Sequence, residues 1–339
     1  AATIALGVGY MRITCVTYLF TSVSMVCLHA LRAIGMNLSA LVIGGGSLLL
    51  NALLNYGLIF GRLGMPRLGV VGSALGTAIA RGVEMALYLA FLRRGHSFFR
   101  FDLKGALALP AAIVKSLLRR TGPLTVNEIF YGLGMLMYFW MIARVDARSL
   151  APQGIAELSM QLGMVPVAGV ASALGLLVGA PLGAGDFKRA LANARGLAGL
   201  VIGLGLAGAA INAACAFALP PLYQIDEGAR RMATWFSLTQ AVLCPINALY
   251  SLGFFLLRVG GDVRSASFLD SAYMWLLPIP LGLAIALWGG GAVAAAPAYL
   301  IIQAVHATRA IPAYAFVKRG RWVRNVTAEA ATAPPPPGI

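Results

Sequence analysis

Long apolar segments, separated by short polar ones, occupy most of the chain. Nine segments reach about 20 residues, the length that an α-helix needs to cross the hydrocarbon core of a bilayer. They cover residues 13–31, 38–60, 68–92, 122–143, 158–182, 196–222, 232–257, 265–288 and 292–317. These segments are too long and too uniformly apolar for barrel strands, and lipid-exposed backbone must satisfy its own hydrogen bonds. The pattern predicts an all-α fold, a polytopic transmembrane helical bundle.

Composition excludes an ordinary soluble enzyme. Of the 339 residues, 60% are hydrophobic and 11% are charged, whereas soluble domains have about 45–50% and 25%. In a soluble protein, the net charge of +15 would suggest nucleic-acid binding. In a membrane protein, Lys and Arg collect in cytoplasmic loops, and one set of alternate loops carries more than twice as many as the other. We therefore expect a multi-pass protein of the cell (inner) membrane, in contact with lipid and not with nucleic acid, with a cytoplasmic C-terminus.

The segments divide the chain into four predicted parts. Residues 1–97 form an incomplete N-lobe of three helices, and residues 122–320 form a C-lobe of six. Between them, residues 98–121 mix apolar and basic side chains, a pattern typical of an amphipathic helix on the cytoplasmic membrane surface. Residues 321–339 form a cytoplasmic tail, whose proline-rich end we expect to be disordered.

A short motif occurs twice, at the ends of the first and seventh helices. Leu31-Arg32-x-x-Gly35 and Leu257-Arg258-x-x-Gly261 lie 226 positions apart. Helices one to three and seven to nine therefore resemble parallel repeats, which in transporters enclose a substrate cavity. Helices four to six have no upstream counterpart, so we expect a longer protein with about 120 preceding residues. The alternative is a genuine nine-helix protein.

Five charged residues lie within the predicted spans, where a central charge costs roughly 2.5–3.5 kcal/mol on insertion scales. They are Arg81, Glu84, Glu128, Asp270 and Arg309. Glu128 is the strongest functional candidate: Asn127 precedes it, and Pro123 removes a backbone hydrogen bond and can bend the helix towards a cavity. The alternative is that Glu128 snorkels to the membrane surface or is a buried partner of an arginine.

Three of the acidic and basic positions favour structural roles. Arg81 and Glu84 are three residues apart, the spacing of an ion pair within one helix. Asp262 follows two glycines just before the eighth helix, which favours capping of that helix.

The fourth helix is rich in aromatic and methionine side chains. Tyr131, Met135 and Tyr138 could offer an adaptable substrate surface that attracts cations through its rings, although helix packing explains them equally well. The three histidines are scattered along the chain, so no metal site is predicted. No Walker A or familiar hydrolase motif is present, so we expect a protein that is not an enzyme and needs no cofactor.

Several separated stretches of the chain resemble the multidrug and toxic compound extrusion (MATE) family of antiporters. They are "LNALLNYGLIFGRLGMPRLGVVGSALGTAIAR" (residues 50–81), "NEIFYGLGMLMY" (127–138), "LLRVGGDVRSASFLDSAYMWLLPIPLG" (256–282) and "VKRGRWVRNVT" (317–327). Their order is similar to that of helices four to twelve in the family's twelve-helix, two-lobed fold. The resemblance implies export of cationic or amphipathic drug-like small molecules in exchange for Na+ or H+, and we expect a monomer.

The resemblance also implies roles for particular residues. Glu128, with Asn127, is similar in position to an acid associated with cation coupling, and Asp270 to a second cavity acid that could share the cation, although a packing role is equally open. Arg309 is similar to a basic residue near the cavity, whereas His306 stands where an acid is expected. Alternative functions are a lipid-linked oligosaccharide flippase of the same superfamily and a transport-dead fragment with a structural role.

Overall fold

The computed structural model describes residues 2–33, 35–95, 111–288 and 294–325. Within these ranges there is no β-strand, and nine helical segments are long and apolar enough to cross a membrane. These spans are Gly7–Arg32, Asn37–Phe60, Gly69–Arg93, Thr121–Val145, Ala147–Gly183, Phe187–Leu222, Glu227–Val259, Val263–Trp288 and Ala295–Lys318. They correspond one to one with the predicted apolar segments, so the predicted fold class is confirmed.

Contacts divide the chain into two units, Ala1–Ala111 and Ala112–Ile339. The first unit contains α1 (Ala2–Ala33), α2 (Asn37–Phe60) and α3 (Gly69–Gly95), and α3 packs against both of the others. Its core is a small apolar cluster to which all three helices contribute, and the Tyr88 hydroxyl donates a hydrogen bond of 3.1 Å to the backbone oxygen of Ala40.

The second unit contains the remaining helices. They are α4 (Ala111–Val145), α5 (Leu150–Leu174), α6 (Ala180–Gly183), α7 (Phe187–Ala218), α8 (Glu227–Val259), α9 (Val263–Ser267), α10 (Tyr273–Leu276), α11 (Pro278–Trp288), α12 (Ala295–Ala307) and α13 (Ala310–Lys318). Short 3-10 helices cover 147–149 and 220–222, and π-helical turns cover 175–179 and 268–272. Helix α8 is central, since it packs against α5, α7, α12 and α13.

The predicted linker, residues 98–121, lies outside the described residues as far as position 110. From Ala111 the chain is one continuous helix to Val145, with Pro123 inside it. The fourth helix therefore begins well before the start of its apolar segment at Gly122. The tail beyond residue 325 also lies outside the described residues.

The two copies of the repeated motif have the same local structure. Gly35 and Gly261 both adopt left-handed backbone angles, with φ of 80° and 79°. The next backbone amide donates to the carbonyl of the motif leucine in each copy, from Met36 to Leu31 at 2.9 Å and from Asp262 to Leu257 at 2.8 Å. Both leucines are completely buried. Each motif is thus a glycine-terminated helix end of the same kind, anchored by a leucine.

Candidate functional site

Asp270 lies where the eighth span departs from regular α-helix. Helix α9 ends at Ser267, a π-helical turn covers Phe268–Ala272, and α10 follows. A π-helical turn shifts the register of the side chains that follow it, and such turns occur frequently at functional sites. The turn places Asp270 inside the second unit, where the residue is only 9% exposed.

An amide on α4 holds the Asp270 carboxylate. Asn127 Nδ2 donates a hydrogen bond of 3.0 Å to Asp270 Oδ2, and Ser271 Oγ donates one of 2.5 Å to Asn127 Oδ1. Asn127 is 5% exposed, and both its amide nitrogen and its amide oxygen are hydrogen-bonded within the bundle. Asp270 Oδ1 has no hydrogen-bond partner among the described residues. One carboxylate oxygen is therefore fixed, and the other is available to a ligand.

Glu128 points to a different partner from its neighbour Asn127. Arg258 Nη2 donates a hydrogen bond of 2.7 Å to Glu128 Oε1, and the two side chains are 31% and 56% exposed, respectively. The Arg258 guanidinium also lies 4.7 Å from the centroid of the Phe254 ring. Glu128 thus has the arginine partner that the alternative interpretation required, although the pair is exposed and not buried.

A second cluster of polar side chains lies around Arg309, the residue just before α13. Its guanidinium carbon lies 3.7 Å from the centroid of the Tyr250 ring, and its Nε has no hydrogen-bond partner in the described structure. The Tyr138 hydroxyl and His306 Nε2 are also buried without a partner, and their rings meet edge to face at 5.3 Å. Unpartnered buried polar groups are costly in an apolar interior, so this region is chemically suited to a polar guest.

Tyr250 connects these two regions. Its hydroxyl donates a hydrogen bond of 3.4 Å to the backbone oxygen of Leu269, the residue before Asp270. Its ring faces Arg309. The Tyr250 side chain therefore contacts both the positively charged Arg309 guanidinium and the π-helical turn that contains Asp270.

The other predicted site residues lie in an apolar cluster, in an ion pair within α3 or at a helix end. Tyr138 is 2% exposed in an apolar cluster, and the half-buried Tyr131 and Met135 pack against that cluster. Arg81 Nη1 lies 2.6 Å from Glu84 Oε2, so the predicted pair within α3 forms. Asp262 accepts a hydrogen bond of 3.3 Å from the Ser265 amide at the start of α9, which confirms the predicted cap.

Three residues of this region are absent from the sequence-based prediction. Ser271 and Tyr250 are ordinary polar or aromatic residues in apolar segments, and only the fold shows what they contact. Glu157 is an acid inside α5. The apolar segment predicted to span the membrane began at the next residue, and a longer span would have included this acid.

The fold is that of a helical multi-pass membrane protein with polar groups inside its spans. Residues 123–284 match the MatE family. The chain is 29% identical over 164 residues to "Probable multidrug resistance protein NorM" of Thermotoga maritima, an alignment that covers 48% of this chain and 34% of that protein. The chain therefore spans about a third of the length of this curated relative.

Solved structures extend the likeness of fold beyond the matched segment. An inward-facing multidrug resistance MATE family transporter of the MOP superfamily has a TM-score of 0.75 and 16% identity, covering 98% of this chain and 74% of that one. A MOP superfamily transporter from Pyrococcus furiosus, described as having a binding pocket of reversed polarity, has a TM-score of 0.76 and 16% identity, covering 95% and 71%. The predicted resemblance to the MATE family is confirmed over residues 123–284, and members of that family are transporters, not enzymes.

Proposed function

We propose that this chain is a secondary active antiporter that exports cationic or amphipathic drug-like compounds in exchange for Na+ or H+. Its place would be the cell's inner membrane, with the C-terminus in the cytoplasm and the monomer as the working unit. The observation that carries the proposal is the Asp270 carboxylate, which lies buried in an interrupted spanning helix with one oxygen bonded to Asn127.

Exchange requires a site whose occupancy by an ion changes the stability of one arrangement of helices. An uncompensated carboxylate is expensive inside an apolar bundle, so occupation of Asp270 by a proton or Na+ is favourable there. Asn127 belongs to α4, whereas Asp270 belongs to the π-helical turn after α9. Because their hydrogen bond joins these two elements, the loading of Asp270 would influence how they pack.

Glu128 would take part in the transport cycle by exchanging its ion-pair partner, Arg258, for a cation. In the described structure, Arg258 already balances its charge, and the exposed fraction of both side chains leaves them accessible to water and ions. A cation that bound Glu128 would compete with Arg258 for the same oxygen atoms. We therefore propose Asp270 with Asn127 as the primary coupling site and Glu128 as a second one, loaded when Arg258 releases it.

Arg309 bears on the choice of substrate. Its buried positive charge opposes a cation beside it, whereas Tyr131 and Met135 are half-buried, soft and polarisable. A cationic compound would therefore bind nearer to Tyr131 than to Arg309.

The test is efflux of a fluorescent organic cation by the chain reconstituted in proteoliposomes, driven by an imposed Na+ or proton gradient. Asp270→Asn should lower gradient-driven efflux by roughly an order of magnitude, the usual size of a coupling between two sites. The matched control is Asp146→Asn, an acid-to-amide change at a helix N-cap, where asparagine caps as well as aspartate.

The outcomes separate the functions. Undiminished efflux by Asp270→Asn would remove this residue from the mechanism, and the same result with Glu128→Gln would remove Glu128. A wild-type chain that folds but moves no cation would contradict the antiporter and favour a structural role. Transfer of a pyrophosphate-linked lipid in place of the dye would favour a flippase.

A further inference from the structure

A groove of about 850 Å³ lies between α7, α8 and α13 in the second unit. Most of its lining is aliphatic: Leu191 and Ala198 come from α7, Leu249 and Leu252 from α8, and Val317 from α13. No carboxylate lines it. Its volume lies within the range of small-molecule sites, about 300–1,000 Å³, so it can take a guest of considerable size.

The segment after α13 folds back to form part of this groove. Gly320, Trp322 and Val323 line it, and Trp322 is 2% exposed. Trp322 Nε1 donates a hydrogen bond of 2.9 Å to the backbone oxygen of Val317, and Arg324 Nε donates one of 3.3 Å to that of Gly260. The groove is therefore shaped by fixed backbone contacts.

Two cations lie at one end of the groove. Lys318 is the last residue of α13, and Arg195 lies in the first part of α7. Asn325 Nδ2 donates a hydrogen bond of 2.9 Å to the backbone oxygen of Gly183, which brings the segment after α13 to the start of α7. The end of α13 and the start of α7 thus lie at the same end of the unit. Neither Arg195 nor Lys318 forms an ion pair within the described residues.

The groove opens on the surface of the second unit, within the membrane-spanning part of its helices. Ile311 and Tyr314 line it and are each 69% exposed, and Leu249 is 40% exposed. Apolar side chains exposed on a spanning helix are suited to contact with lipid. A molecule in the surrounding bilayer can therefore enter the groove from the side, with its apolar part leading.

We propose that this groove binds one anionic phospholipid of the leaflet that faces the start of α7. The phosphate lies between Arg195 and Lys318, and an acyl chain follows the aliphatic wall towards Leu249 and Leu252. The charges are complementary, because two cations without carboxylate partners meet the one charged group of such a lipid. Basic pockets between spanning helices bind lipid head groups by the same chemistry. A free phosphate would use the cations but not the apolar wall.

The experiment is native mass spectrometry of the whole chain in detergent, titrated with phosphatidylglycerol, with phosphatidylcholine of the same acyl chains and with inorganic phosphate. The wild-type chain should retain phosphatidylglycerol in preference to both. The double variant Arg195→Gln/Lys318→Gln should bind it about tenfold more weakly or worse, since each basic residue near an anionic lipid contributes appreciably. Lys188→Gln/Arg321→Gln removes two exposed cations that do not line the groove, and should leave binding unchanged.

A second pair of variants tests the apolar wall with the charges intact. Ala198→Phe fills the groove and should abolish the phosphatidylglycerol adduct, whereas Ala207→Phe, on an exposed face of the same helix, should not. Equal retention of phosphatidylglycerol and phosphatidylcholine would overturn the proposal. So would inorganic phosphate that binds as tightly as the lipid and is unaffected by Ala198→Phe. The readout involves no transport, so its result is independent of the antiporter proposal.

Discussion

Arg258 Nη2 lies 2.7 Å from Glu128 Oε1 and joins α8 to α4 across 130 positions of sequence. Arg258 belongs to the repeated motif, and its equivalent in the first unit is Arg32. The backbone of the two motifs is the same, but Arg32 has no ion pair within the described residues. The repeat thus preserves a helix end, while this particular side-chain contact is specific to the second unit.

Substitution of Arg258 by glutamine should make Glu128 more available to a coupling cation. An exposed pair of this kind stabilises by up to about 1 kcal/mol, which corresponds to an affinity change of about fivefold or less. We expect the cation concentration for half-maximal efflux to fall by two- to fivefold, roughly the size of that pair energy. The measurement is efflux from proteoliposomes against cation concentration.

Arg258→Lys serves as the control for this prediction, because it keeps the positive charge next to Glu128 and should stay near wild type. An unchanged cation dependence in Arg258→Gln, together with normal efflux, would show that the Arg258–Glu128 pair has no part in coupling. The thermal midpoint should change little in either variant, since both side chains are partly exposed.

The lengths of the apolar segments were sufficient to predict the helices and not sufficient to predict their contacts. All nine spans follow from segment length and hydropathy, because the bilayer imposes a minimum length on each helix. The Arg81–Glu84 pair and the Asp262 cap could also be predicted, since both depend on local spacing. The bond between Asn127 and Asp270 could not be, because it depends on how α4 packs and on a π-helical turn that has no simple sequence pattern.

Close packing of α5 against α7 depends on two glycines that face each other. A Cβ atom built on Gly163 would lie 2.7 Å from the backbone oxygen of Gly208, and a Cβ on Gly208 would overlap the backbone of Gly163. Backbone cannot yield as a flexible side chain can, so Gly208→Val should destabilise by about 3 kcal/mol or more, the upper range of overpacking. Thermal unfolding in detergent, followed by the loss of the folded species, measures the effect.

Gly203→Val is the matched control, because Gly203 lies on the same helix and a Cβ there would meet nothing within 4 Å. It should unfold close to the wild-type temperature. If both variants unfold at the same temperature, the contact between Gly163 and Gly208 does not limit stability, and valine in α7 would explain any common effect through helix propensity.

The ion pair in α3 should behave as a structural unit. Glu84 is 7% exposed, with its Oε2 atom 2.6 Å from Arg81 Nη1 and 3.3 Å from Ser47 Oγ on α2. Glu84→Gln leaves the Arg81 guanidinium without a carboxylate in an apolar span and should lower stability by about 1–3 kcal/mol. The Arg81→Met/Glu84→Met variant removes both charges and should recover most of that loss, because apolar side chains replace a partly buried ion pair at little cost. Thermal unfolding of both variants tests this, and efflux should stay near wild type in the double variant. A double variant that folds normally but has lost efflux would show that α3 contributes a charge to transport, and the pair would then have to be assigned to the mechanism.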